Sequence, residues 1–211
     1  MPNTTALLPS LIQVVAKAIE NNAIELTELD QAIGDGDHVT NLQRGIQALM
    51  AQSNELSQLD WQAALQKMGM TVMSSIGGAS GSLYGTLFLA MSKNLNNQPL
   101  TLTTFADVFL KGVEAVKQRG KADKGEKTML DVLIPVAEQL HQNANAPDVF
   151  EQVKQTAITG AESTRAMVAT KGRASFLGER SQGHIDAGAK SSQVMICAIV
   201  DTLSEKSTAP P

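Results

Sequence analysis

The sequence predicts an all-α protein: a single domain spanning residues 1–211, with about eight antiparallel helices closed into an up-and-down helical barrel. Three observations predict it. Apolar residues recur at three- and four-residue spacing along most of the chain. No segment alternates strictly enough, or is rich enough in β-branched residues, to read as a strand. The connections are mostly short, which sets consecutive helices side by side and antiparallel, and 211 residues suffice for one sizeable core but not for two.

Composition narrows the function classes. With 43% hydrophobic and 18% charged residues the chain is globular rather than disordered. A net charge of −4 without a long basic run speaks against nucleic acid as a partner. The single cysteine, Cys197, lies in the apolar run Val194–Val200 and reads as a buried small hydrophobe, so no disulfide can form within the chain. The N-terminus lacks a signal-peptide pattern and no apolar run approaches membrane-spanning length. The expectation is a soluble cytoplasmic protein with no membrane contact.

Leu8, Leu11, Ile12, Val15, Ile19, Leu26 and Leu29 predict one long first helix, and Leu42, Ile46 and Leu49 a second. Ser57 and Asp60 offer caps for a third, with Trp61, Leu65, Met68, Val72 and Ile76 on one face. A glycine run, Gly77-Gly-Ala-Ser-Gly81, interrupts it, and a fourth helix is expected from about Ser82. Thr104 is the expected cap of a fifth, carrying Phe105, Val108, Phe109, Val113 and Val116. A sixth begins near Thr128, with Pro135 marking a kink or a late start. A seventh follows Pro147, where proline suits a first turn. The last covers about Ala189 to Leu203, and Ser207 to Pro211 reads as a frayed, disordered tail.

Up-and-down topology puts the loops after helices one, three, five and seven at one end, and these are the chemically unusual ones. The first holds Asp30, Asp35 and Asp37 beside His38, with Gly34 and Gly36 between them. Like charges so close repel unless a cation neutralises them. Oxygen-only ligands on a glycine-loosened loop suit a hard cation, Mg²⁺ above all. An EF-hand fails on spacing, since the sixth position from Asp30 is Asp35 and the twelfth is Asn41. The plainer reading is a polar turn with an N-cap.

Gly77 to Gly81 before a helix is a plausible anion cradle, though small residues also serve close packing, and no Walker A ending is present. In the glycine-rich stretch Lys171 to Gly188, Arg173 and Arg180 have the fork geometry that clamps phosphate. Met129 opens a helix and can pack on core or on a flat base. His184 and His141 carry little signal, and no Ser-His-Asp or Cys-His arrangement can be inferred, so no catalytic side chain is predicted. Clustered aspartates, a glycine loop and arginines together indicate a Mg-nucleotide site.

Four ordered motifs carry a resemblance: Gly34-Asp-Gly-Asp-His38, Gly77-Gly-Ala-Ser-Gly81, Gly125-Glu-Lys-Thr-Met129 and Gly172-Arg-Ala-Ser-Phe-Leu-Gly-Glu-Arg180. From about Leu26 to the last helix the chain resembles the L subunits of bacterial dihydroxyacetone kinase. The resemblance implies an eight-helix barrel with a nucleotide across one end. It implies that Asp30, Asp35 and Asp37 hold two Mg²⁺ ions bridging the phosphates of ADP or ATP. Around that nucleotide it implies His38, Val39, Thr40, Asn41, Ala79, Ser80, Gly120, Met129, Arg173, Asp186, Ala187 and Gly188. The chain departs from the family pattern at Val39, where glycine is common, and at Ala187, within the usual Asp-Pro-Gly. Lys124 and Glu126 replace a commoner proline and aspartate.

The resemblance also implies partners: a K subunit that holds dihydroxyacetone covalently, and the multiphosphoryl M subunit of the sugar phosphotransferase system. The γ-phosphoryl would pass to the substrate while ADP stays bound and is recharged in place by a phosphohistidine. Two other readings stand beside this one, an ATP-exchanging kinase domain and an ADP-sensing regulator of a transcription factor.

Overall fold

Asparagine and glutamine junctions, where side-chain amides compete with the helical backbone, cut the expected rods into more pieces than periodicity shows. A computed structural model of the chain describes residues 5–208. Its α-helices are α1 (Leu8–Asn21), α2 (Ala23–Ile33), α3 (His38–Ala51), α4 (Ser53–Leu56), α5 (Trp61–Ser75), α6 (Gly78–Leu95), α7 (Leu102–Gly120), α8 (Leu130–Asn143), α9 (Val149–Ser163) and α10 (Ala187–Thr208). Short 3₁₀ segments occupy Thr5–Leu7, Thr164–Ala166 and Arg173–Ser181, and the described residues contain no strand. The protein is all-α.

The first predicted helix is two. Asn22 leaves helical geometry at φ −105° and ψ 9°, and its Nδ2 donates to the Ala18 carbonyl at 2.8 Å. Gln52 separates α3 from the single turn α4 with similar dihedrals, φ −103° and ψ 4°, while its side-chain oxygen accepts from Thr71 Oγ1 at 2.9 Å. Asp60 caps α5, accepting from Ala63 N at 2.8 Å, whereas Ser57 turns back to donate to Asn54 O. The cap of α7 is Thr101; Thr104 is its reciprocal partner in a capping box. The glycine run is not a loop but the start of α6, which begins at Gly78 rather than Ser82. The last helix extends beyond its expected bounds on both sides, to Ala187 and Thr208. The expected tail therefore loses Ser207 and Thr208 to this helix, and its remainder, 209–211, lies outside the described residues.

Pro135 neither starts nor ends α8, which continues through it. Proline has no N–H for the carbonyl four residues back, here that of Asp131. α9 meets that carbonyl with Gly160, where a Cβ would sit 2.4 Å from Asp131 O. The missing bond and the missing side chain thus coincide, and they let α8 and α9 approach closely.

Each helix from α5 to α10 packs on the next, α10 packs on α1, α1 on α3 and α3 on α5, so the order of neighbours returns to its start. Two apolar clusters fill the space between. One gathers Val116, Val132, Val136 and Val153 from α7 to α9; the other gathers Ile19, Leu26, Leu42 and Leu56 from α1 to α4. Trp61, Tyr84 and Phe88 pack against both. Each fully buried aliphatic side chain contributes about 1.5–3 kcal/mol, which is what fixes the helix ends that carry the loops. Cys197 is half-buried rather than buried, with burial pushing its thiol up. Among the described residues, no helix is long and apolar enough to cross a membrane.

Candidate functional site

The four unusual loops do meet. They line one cavity of about 430 Å³, within the range of small-molecule sites. Its walls are the α2–α3 junction, the start of α6, the end of α7 with the turn before α8, and the stretch from Lys171 to Gly188.

The acidic wall is built tightly. Asp30 is buried on the last turn of α2 and accepts from His38 N at 3.0 Å. Gly34 closes α2 so tightly that a Cβ there would lie 2.1 Å from Asp30 Oδ1. Asp37 occupies the N-cap position of α3 yet makes no side-chain capping bond, so the plain N-cap reading does not account for its carboxylate. Ligand atoms of Asp30, Asp35 and Asp37 all lie within 4.8 Å of one another. Among the described residues the cation paired with this wall is Arg173, whose Nε meets Asp35 Oδ2. An all-oxygen donor set of this compactness fits Mg²⁺.

His38 stands behind the carboxylates, with Nε2 2.8 Å from Ser191 Oγ and Nδ1 3.5 Å from Ser80 Oγ. Burial pushes its pKa down from 6.5, outweighing Asp30, Asp37 and Asp35, and so favours the neutral ring. Two helix starts face the same space. That of α6, at Gly77, carries no side-chain cap, which leaves its first N–H groups available to an anion. The start of α10 is capped by Asp186, which accepts from Ala189 N at 2.8 Å. Burial pushes the Asp186 carboxyl up to about 6 against that bond and the nearby Lys127.

Of the residues implicated by sequence, Asp30, Asp35, Asp37, His38, Asn41, Ala79, Ser80, Gly120, Met129, Arg173, Asp186, Ala187 and Gly188 all line the cavity. Val39 and Thr40 do not. Val39 is buried in the cluster of α1 to α4, and Thr40 is exposed on α3. Arg180 and His184 are exposed and stand outside the lining, and His141 pairs with Asp107 at 3.0 Å elsewhere.

The turn before α8 was the part least visible in the sequence. Asp131 is buried; its Oδ1 accepts from Gly125 N at 2.6 Å and its Oδ2 from Thr128 N at 2.8 Å. Thr128 Oγ1 in turn accepts from Leu130 N at 3.1 Å. The turn so formed holds Lys127 at φ 62° with its side chain inside the protein, 1% exposed. The available signal was the spacing Thr128-x-x-Asp131 ahead of an apolar run, which has capping-box form.

Comparison with known proteins gives the family and the fold. The DAK2 domain model matches residues 32–201. The chain is 44% identical to the ADP-binding subunit DhaL of PEP-dependent dihydroxyacetone kinase 1 of Listeria innocua, over 87% of this chain and 89% of that one. It is also 44% identical to the corresponding subunit of Escherichia coli, over 81% of this chain and 84% of that one. Among solved structures, the dihydroxyacetone kinase of C. freundii shares the fold with a TM-score of 0.76 at 22% identity, across 93% of this chain and 34% of that longer one. The chain belongs to the DAK2 domain family, which it shares with the L subunits of bacterial dihydroxyacetone kinases.

Proposed function

We propose that this chain is the nucleotide-binding, phosphoryl-transferring subunit of a dihydroxyacetone kinase that depends on the phosphotransferase system. The reading rests on one observation above all: three carboxylates within 4.8 Å of one another form one wall of a cavity whose other walls are helix starts and cationic side chains. Asp30, Asp35 and Asp37 would hold Mg²⁺, two ions by resemblance to the family. Bound there, Mg²⁺ supplies neutralisation of the phosphate oxygens and of the charge that develops on transfer.

The chain's own residues do the rest. N–H groups at the starts of α6 and α10, around Ala79, Ser80, Ala187 and Gly188, face the anion. Arg173 adds a donor fork to the phosphates. Met129 and Leu83 supply apolar surface for the base. His38, neutral and held between Ser191 and Ser80, orients the loop without adding charge. Phosphoryl transfer depends mainly on positioning and charge neutralisation, which fits a site with no evident general base. The acceptor is dihydroxyacetone held on a K subunit, and a phosphohistidine of the multiphosphoryl M subunit recharges ADP in place.

The test loads the protein with radiolabelled ADP and runs many turnovers with both partner subunits in excess unlabelled ADP. Label that stays on the protein is the expected result and makes ADP a cofactor. Label that washes out at the turnover rate makes the chain an ATP-exchanging kinase instead.

A further inference from the structure

We propose that Lys127 is a positioning residue: an internal clasp that holds both ends of the 165–185 segment against the cavity wall and so sets where that segment meets the nucleotide. The inference rests on the nucleotide reading above for its consequence, though not for its geometry.

A lysine that is 1% exposed must find acceptors within the protein. Lys127 Nζ donates to Thr164 O at 2.5 Å and to His184 O. Those carbonyls flank the segment on its two sides. Between them the ends are already drawn together: Gly183 N donates to Arg165 O at 2.8 Å, Gln182 Nε2 to Ala166 O at 2.8 Å, and Asp186 N to Thr164 Oγ1 at 3.0 Å. While Arg165 ties this closed neck to Glu162 on α9, Lys127 joins it to the turn before α8. Its neighbour Glu126 makes a second, outer attachment, accepting from Thr170 Oγ1 at 3.1 Å and pairing with Lys171 at 3.6 Å.

The placement of Lys127 is imposed rather than incidental. Left-handed backbone is unfavourable for a lysine, and the buried Asp131 carboxylate enforces it through Gly125 N and Thr128 N. Lys127 itself and the next residues, Thr128 and Met129, line the cavity, as do Lys171 to Ala174 and Asp186 to Gly188. One ammonium therefore ties the floor of the site to both roots of its cover. The charged groups facing it are Asp186 and Asp131, which favour its charge, and Arg165, which opposes it; burial outweighs them and pushes its pKa down.

Hydrogen exchange of the full-length, nucleotide-free protein tests the clasp directly. In K127M, amides of residues 165–186 should exchange roughly tenfold faster or more, because two carbonyls, the buried one of Thr164 and the part-buried one of His184, lose their donor, while peptides from α5 and α6 keep wild-type rates. K127R, which keeps charge and donors, should restore protection. In a Mg-ADP titration, K127M should bind about tenfold or more weakly, and trypsin should still cut between Lys171 and Arg180 at saturating nucleotide. Should K127M not fold, K127L, which is shorter and likewise has no donor, carries the same comparison. A folded variant of either kind whose 165–186 amides exchange at the wild-type rate overturns the proposal. If wild-type protein does not bind Mg-ADP yet K127M loosens the segment, the nucleotide reading fails and the clasp stands.

Discussion

The aspartate loop and the Lys171 to Gly188 segment face each other across one cavity and are built in opposite ways. The loop is short, 34–37, between two helices whose ends are buried in the core. Its buried donor is fixed by backbone: His38 N on Asp30, and the close approach of Gly34 to the same carboxylate. The segment is long and half 3₁₀, bent at Gly178 with φ 55°. A small apolar cluster of Ile33, Ala169, Ala174 and Leu177 anchors its middle, and Phe176 is left 88% exposed. Rigid charge on one side and an adjustable cover on the other is the division that a metal-nucleotide site needs. Pre-organised ligands bind without reordering, while the cover must open to admit partner or product.

The largest effect should come from the rigid side. Asp35→Asn and Asp37→Asn should each cut transfer by more than about a hundredfold, since even groups one shell away from a metal can cost tenfold to a hundredfold. Circular dichroism should show the helices intact. The two variants should differ without metal: Asp37→Asn relieves like-charge repulsion and should raise the melting temperature slightly, whereas Asp35→Asn also loses its pair with Arg173 and should leave it flat. Wild-type Mg²⁺ dependence and full activity in both variants would remove the metal assignment.

Gly34→Ala sharpens the comparison further. The added Cβ would lie 2.1 Å from Asp30 Oδ1 and 2.8 Å from Asp30 O. The carboxylate and the last turn of α2 must both shift, so Mg²⁺ affinity should fall roughly tenfold or more, with a loss of stability of about 1–3 kcal/mol. Calorimetric titration of Mg-ADP beside a denaturant melt separates the two effects, and unchanged affinity would mean that the wall is less rigid than its contacts imply.

On the adjustable side, limited proteolysis should cut between Lys171 and Arg180 in stripped protein and far less with Mg-ADP, because phosphate gives Arg173 a stronger partner than Asp35. Equal cleavage in both states rejects a nucleotide-ordered lid. Arg173→Gln should change apo stability by under about 1 kcal/mol, as expected for an exposed pair; the Arg173 side chain is 73% exposed and that of Asp35 31%.

The same contrast governs what the sequence revealed. The carboxylate wall was legible because its members are close in sequence and separated by glycines, so local spacing nearly dictates the geometry. Apolar periodicity revealed the helices but not the breaks at Asn22, where the side-chain amide bonds the Ala18 carbonyl, and at Gln52, neither of which disturbs the apolar pattern. Two threonines three residues apart made Thr104 look like the cap that is Thr101. Nothing local announces that Arg173 meets Asp35, since that pair depends on the bundle bringing distant loops together. Lys127 was hidden for a more general reason: lysine is expected at the surface, and only the buried Asp131 turns it inward.

The smallest effect concerns Asp186, at the root of the cover. Burial raises its folded-state pKa from 3.8 to about 6, so the folded protein holds that proton more tightly than the unfolded chain does. Below about pH 4 the group is protonated in both states and contributes no difference. Between there and pH 6 the unfolded chain ionises while the folded one does not, and above about 6 the folded protein carries the full cost of a buried carboxylate. Stability from this group therefore falls as pH rises through that window, the reverse of the usual paired aspartate. Asp186→Asn keeps an oxygen to accept from Ala189 N and removes the ionisation. In metal-free, nucleotide-free protein it should flatten the decline in melting temperature between pH 4 and pH 8, raising stability at pH 8 and leaving it nearly unchanged at pH 4. An equal decline in wild type and variant would mean that Asp186 is better solvated than its surroundings indicate, and that the root of the cover opens more freely than the wall it faces.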